Sequence, residues 1–139
     1  MAEERYERLL NSRGVSVTAE AIEGNPKKWA VTAAKTLGVT VLLKGSRTYV
    51  AKDSILIELP VATPWLAAAG TGDVLAGILG ALVATHLIQI LNDSNYLASL
   101  AATASLIHAS AAKNASRGGP ISAESILPEL RSVISQILK

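Results

Sequence analysis

The segment Ala69-Gly70-Thr71-Gly72-Asp73-Val74-Leu75-Ala76-Gly77 concentrates residue types that can do chemistry. Two glycines let the backbone turn tightly and approach a ligand with no Cβ in the way. An apolar helix is expected directly behind them. Its free N–H groups and positive dipole end would make the turn an anion site. Asp73 falls in the first turn of that helix. A carboxylate there stabilises a helix start, but it adds nothing electrostatically to the binding of an anion. It suits a group that handles a proton, or orients a hydroxyl, beside a bound phosphate. Taken alone, the same residues also describe an ordinary glycine-rich helix cap. They do not form a Walker loop, because no Lys-Ser/Thr pair follows. Nor do they form the dinucleotide fingerprint G-x-G-x-x-G, whose third glycine would fall at Leu75.

A second segment, Lys44-Gly45-Ser46-Arg47-Thr48, follows an apolar run at the end where open α/β sheets place ligands. Lys44 and Arg47 could reach phosphate, Gly45 permits close backbone approach, and Ser46 and Thr48 could donate hydrogen bonds. An ordinary strand-to-strand turn with solvated charges has the same appearance.

The elements that must hold these segments are partly legible. Residues 3–10 read as a short amphipathic helix, and residues 11–24 as a polar stretch punctuated by Gly14 and Gly24. Asn25-Pro26 signals a helix start and Gly38 its end. Between them Trp29, Ala30, Ala33, Ala34 and Leu37 form an apolar stripe. Val39 to Leu43 reads as a strand buried on both faces, the parallel-sheet pattern. Thr48 to Ala51 and Ser54 to Leu59 read as a hairpin joined through Lys52-Asp53. Pro60 and Pro64 mark a constrained loop. A long apolar helix follows Asp73, expected to be buried on nearly all sides within a larger layered domain. Asp93 or Ser94 can cap a further helix over about 95–116. Ser122 can cap the last, with a break near Pro128 and an apolar face of Leu127, Leu130, Ile134, Ile137 and Leu138. The order is α/β in character, with one buried strand and a β-hairpin packed by Ala-rich helices. That is little sheet for such apolar helices. Part of a larger domain, or an obligate oligomer, is expected.

Composition limits the function classes. Of the 139 residues 50% are apolar and 17% charged, and Phe is absent, so the core must be built from Ala, Leu, Ile and Val. A net charge of +2 is too small to argue for nucleic acid. The absence of Cys excludes disulfides and thiolate metal sites and fits the cytoplasm. Val74 to Leu91 carries no formal charge and competes as a membrane span. Against that stand His86, Gln89 and the lack of flanking Lys or Arg. The charged N-terminus lacks the apolar region of a signal peptide. His86 and His108 read as packed helix residues and not as metal ligands. Trp65 suits either base stacking or apolar cover. The Ala-rich stripes from Ala98 to Ala112 read as close helix packing.

Together, VLLKGSRTYVA and TPWLAAAGTGDVLAGILGALVA resemble the C-terminal part of the ADP/ATP-dependent NAD(P)H-hydrate dehydratases, which have the ribokinase-like fold. The resemblance continues through LASLAATASLIHASAA and LPELRSVISQIL. AEERYERLL resembles the segment after that family's Thr-Pro-His loop, so nearly the whole chain is covered. GTGD is shared with many ribokinase-like sugar and vitamin kinases, whereas its combination with KGxxT and the Pro-Trp-Leu-Ala loop is more specific to the dehydratases.

The resemblance implies a lyase that repairs nicotinamide cofactors. It would remove water from the S form of hydrated NADH or NADPH while hydrolysing ADP or ATP, with Mg²⁺ beside the phosphates. Lys44, Gly45, Ser46, Arg47 and Thr48 would line the phosphate side of the adenine nucleotide. Gly70, Thr71 and Gly72 would form the anion hole, and Asp73 would be the catalytic carboxylate contacting the hydrated nicotinamide. Members of the family are longer, and the Thr-Pro-His loop would lie just before Met1. Residues 1–139 are therefore expected to be the C-terminal half of one ribokinase-like domain, with a missing or separately encoded N-terminal half. Such a chain should bind nucleotide weakly and lack turnover alone. A homo-oligomer in the cytoplasm is expected, with neither a nucleic-acid nor a membrane partner. The competing readings are a ribokinase-like kinase acting on a sugar or vitamin-precursor hydroxyl, and a non-enzymatic remnant or membrane-associated helical protein.

Overall fold

The computed structural model describes residues 2–139, which divide into two compact units, one running to Pro60 and the other from Val61 to Lys139. Each unit has its own apolar core.

The first unit holds helices α1 (Ala2–Asn11), α2 (Ala19–Gly24) and α3 (Pro26–Leu37) and strands β1 (Val41–Leu43), β2 (Tyr49–Lys52) and β3 (Ile55–Glu58). The ends of α3 form as their residues dictate. The Asn25 side chain accepts from Lys28 N at 3.1 Å, Pro26 takes the first helical position, and Gly38 closes the helix at φ 65° with its N–H on Ala34 O. The predicted stripe faces inward, with Ala30, Ala33 and Ala34 buried beside Leu10, Ile22, Val41 and Leu43. Helix α2 is an addition to the sequence reading, which took residues 11–24 as a polar stretch punctuated by Gly14 and Gly24. It is one short turn pair, capped by Thr18 Oγ1, which accepts from Ala21 N at 3.2 Å. Glu7 reaches across from α1 to accept from Ala19 N at 2.8 Å. Only Ile22 of α2 is buried, so no periodic stripe announces it.

The three strands form an antiparallel sheet in the order β1-β2-β3. The parallel-sheet reading of the first strand is therefore corrected. It is a three-residue antiparallel strand, with Val41 opposite Ala51 and Leu43 opposite Tyr49. Its continuous apolar character reflects α3 packed against it and against β2. The hairpin forms as expected, with Lys52 paired to Ile55 and the turn made by Asp53 at φ 50° and Ser54. Aspartate tolerates the left-handed region better than most residues.

The second unit contains a 3-10 turn at Pro64–Ala67 and helices α4 (Thr71–Thr85), α5 (Leu87–Asn92), α6 (Tyr96–Ser116) and α7 (Ala123–Ile137). Its centre is α6, which packs on α4, α5, α7 and the 3-10 turn. Ala98, Ala101, Ala102, Ala104, Ala111 and Ala112 are all buried, and their small side chains let several neighbours approach one helix closely. Buried His108 lies within this helix, as a packed residue.

Three expectations change here. The uncharged run from Val74 to Leu91 is two helices, broken at His86, and no helix among the described residues is long and apolar enough to cross a membrane. The break is local: His86 Nδ1 lies 2.9 Å from Leu82 O and 3.0 Å from Thr85 Oγ1. Second, the enclosure expected of a larger domain is not supplied to α4 by this chain itself, where only Thr71 and Leu75 of its fifteen residues are buried. Third, α7 runs through Pro128, and its buried face is Ile126 and Val133 with Leu130 half-buried. Leu127, Ile134, Ile137 and Leu138 are exposed. The helix starts as predicted, with Ser122 Oγ accepting from Ser125 N at 3.4 Å.

Candidate functional site

In the second unit the chain enters α4 through Gly70, which is the N-cap at φ 82° and ψ −16°. A Cβ there would stand in the left-handed region and only 3.1 Å from Ala123 Cβ, so glycine is required on both counts. Thr71 is buried, and its hydroxyl donates to Leu66 O at 2.8 Å, with Ala68 O also at 2.9 Å. This closes the 3-10 turn onto the helix start. The Thr71 side chain is thus committed to the protein, and what remains for a ligand at this position is backbone.

The first-turn donors follow a simple pattern. Thr71 N and Asp73 N donate to Ala68 O and Gly70 O at 3.5 and 3.0 Å. The N–H of Gly72, at the second helical position, has no acceptor within the helix. Gly72 is exposed, has no positive φ, and an added Cβ would meet nothing within 4 Å. Nothing among the described residues requires glycine there, although glycine costs a helix about 1 kcal/mol relative to alanine. An open approach to its N–H is what the missing side chain supplies. Asp73 is adjacent and exposed, in the first helical turn. It is the one charged residue lining an apolar groove of about 550 Å³. Val74, Ile78 and Leu82 of α4 form one wall, and Leu130 and Ile134 of α7 another. The arrangement offers an anion-accepting N–H, a proton-accepting carboxylate and an apolar surface, all at one helix end.

In the first unit, residues 44–48 connect β1 to β2. Gly45 and Ser46 are exposed, and Lys44, Arg47 and Thr48 are half-buried. Burial holds the Lys44 ammonium below its ordinary pKa, while the charge of Glu3 pulls the other way. The loop is pinned at its far end. Thr48 O accepts from Leu59 N at 3.0 Å, and Arg47 Nη1 donates to Leu59 O at 3.2 Å. Arg47 Nη1 also lies 3.2 Å from Glu58 Oε1, and Lys27 Nζ lies 3.5 Å from Glu58 Oε2. Glu58 escapes the sequence reading. Its signal is a lone carboxylate ending the otherwise apolar strand Ile55–Glu58, opposite Tyr49 in register.

The site residues thus fall into two groups, Lys44 to Thr48 in one unit and Gly70 to Asp73 in the other. Trp65, in the 3-10 turn before Gly70, is 39% exposed.

The family model and the curated relatives agree on one family, and a solved structure shares the fold. The bifunctional NAD(P)H-hydrate repair enzyme Nnr of Mycobacterium tuberculosis (strain H37Rv) is 49% identical over 55 residues, 39% of this chain and 12% of that protein. The enzyme of the same name from Corynebacterium glutamicum is 35% identical over 94 residues, 68% of this chain and 15% of that protein. The chain thus spans a small part of the length of the curated relatives it matches. Among solved structures, Bacillus subtilis YxkO, a member of the UPF0031 family, superposes with a TM-score of 0.72 at 22% identity. The match covers 86% of this chain and 43% of YxkO, and the shared fold is ribokinase-like. The family model for NAD(P)H-hydrate dehydratase matches residues 3–130. With GTGD at a helix start and KGSRT between two strands, the chain belongs to the NAD(P)H-hydrate dehydratase family.

Proposed function

We propose that this chain supplies nucleotide- and substrate-contacting residues of an ADP- or ATP-dependent dehydratase acting on the S form of hydrated NADH or NADPH. The observation that carries this reading is Gly72 beside Asp73. A glycine with no internal reason to be glycine sits in the first turn of α4, next to an exposed carboxylate. The helix end attracts the nucleotide's terminal phosphoryl group, and Gly72 N–H donates to one of its oxygens. Asp73 accepts the proton of the substrate hydroxyl as that oxygen attacks phosphorus and the phosphoanhydride bond breaks. The phosphorylated hydroxyl then leaves as phosphate when its C–O bond breaks, and the ring loses a proton to complete the net loss of water. Lys44 and Arg47 add cations, and Gly45 and Ser46 add exposed backbone, for the same class of ligand.

Mg²⁺ fits as a companion of the phosphates. It would keep several waters and be held chiefly by the phosphate oxygens, which leaves the exposed Asp73 carboxylate to accept the proton. Bound there, the ion would neutralise phosphate charge.

The test is Asp73→Asn in a protein that carries this segment with the rest of the fold. Turnover, read as recovery of NADH absorbance from its hydrate, should fall by about 10³-fold or more. Nucleotide affinity should hold or tighten, because a negative charge near phosphate is gone. Turnover surviving within a few-fold removes Asp73 from the reaction. The 139-residue chain alone is expected to bind ADP weakly and to show no turnover.

A further inference from the structure

We propose that Glu58 is a positioning residue, which clamps one edge of the Arg47 guanidinium and thereby presents its other edge to a phosphate. This rests on the reading of Lys44 to Thr48 as a phosphate-binding loop. The guanidinium carries five N–H donors in a rigid fork. Nη1 donates to Leu59 O at 3.2 Å and is ion-paired with Glu58 Oε1 at the same distance. The donors on Nε and Nη2 form the edge that a phosphoryl oxygen pair would match. Both acceptors belong to adjacent residues at the end of β3, and Leu59 N returns a hydrogen bond to Thr48 O. Strand β3 therefore fixes the backbone after Arg47 and the side chain of Arg47 together. The other Glu58 oxygen holds Lys27 at 3.5 Å, so one carboxylate collects two cations and the cluster keeps a net positive charge.

A carboxylate this near an anion site can act in two opposite ways. As a plain charge it repels phosphate, and its removal tightens binding. As a clamp it pre-organises Arg47, and its removal loosens binding. The sign of the effect decides between them. In the 139-residue chain, ADP binding is measured by NMR titration for wild type, Arg47→Ala, Glu58→Ala, Glu58→Gln and the Arg47→Ala/Glu58→Ala double variant. Glu58→Ala should weaken ADP about fivefold. Glu58→Gln, which keeps an oxygen acceptor for Nη1, should recover part of that loss. In the Arg47→Ala background Glu58→Ala should add nothing further. The Arg47 Nε–Hε resonance should show greater side-chain mobility in ligand-free Glu58→Ala than in wild type.

Tighter or unchanged ADP binding in Glu58→Ala overturns the clamp while leaving the loop reading intact, provided Arg47→Ala itself weakens binding. Unchanged Arg47 mobility overturns it as well. No ADP binding by wild type, or no effect of Arg47→Ala, overturns the phosphate-loop reading and the clamp with it.

Discussion

Lys44 is half-buried at the start of the connection from β1 to β2, and burial lowers its pKa from the ordinary 10.5. The consequences for binding and for stability have opposite signs. Phosphate binds the charged ammonium, so affinity is full below the lowered pKa and is lost as pH rises through it. Stability runs the other way. The folded-state pKa lies below the unfolded one, so the unfolded chain holds more protons through that window and stability rises with pH. ADP affinity followed against alkaline pH should therefore fall earlier than for an exposed lysine. Lys44→Arg, which stays charged throughout, should remove the fall. An affinity independent of pH up to 10.5 would take Lys44 out of the site.

At this scale the sequence was informative about residue type and silent about commitment. Lys44, Arg47 and Asp73 stand out by charge beside glycine. That Thr71 spends its hydroxyl on Leu66 O and Ala68 O is decided by the 3-10 turn, which no residue spacing reveals. Glu58 was invisible because its partners are Lys27 and Arg47, brought together by α3 and the hairpin.

At the scale of elements, the start of α4 separates structural from functional glycine. Gly70→Ala forces an alanine to φ 82° with its Cβ 3.1 Å from Ala123 Cβ. The expected cost is about 1–2 kcal/mol, read as a lowered thermal midpoint. Gly72→Ala meets no neighbour within 4 Å and should hold or raise stability by up to about 1 kcal/mol. Its methyl group would crowd the approach to the N–H, so ADP binding should weaken in a protein that folds as well as before. Equal losses of stability in the two variants would assign both glycines to the fold. Helix ends marked by Asn25, Gly38 and Ser122 were readable because capping is local. The strand direction of β1 and the buried face of α7 were not, because both depend on which neighbour packs there. The five positions read as the apolar face of α7 include four that the structure leaves exposed.

At the scale of the whole molecule, the most apolar stretch of the sequence is poorly covered. Helix α4 buries two residues of fifteen, and α5 buries none. Leu87, Ile88 and Leu91 are 52%, 72% and 76% exposed. The apolar excess of the composition is therefore a surface property of this chain as well as a core property. That fits a chain whose fold likeness covers 43% of the solved neighbour. The reading is checked with a charged substitution on α5. Ile88→Lys, alone or with Leu91→Lys, should leave the thermal midpoint within the range of ordinary surface changes, about 0.5 kcal/mol. Exposed apolar patches drive association. Sedimentation should accordingly show a weight-average mass that depends less on concentration in the variants than in wild type. A loss of about 2–5 kcal/mol, the scale of a disrupted core, would mean that α5 is packed in solution and that the apolar excess is internal.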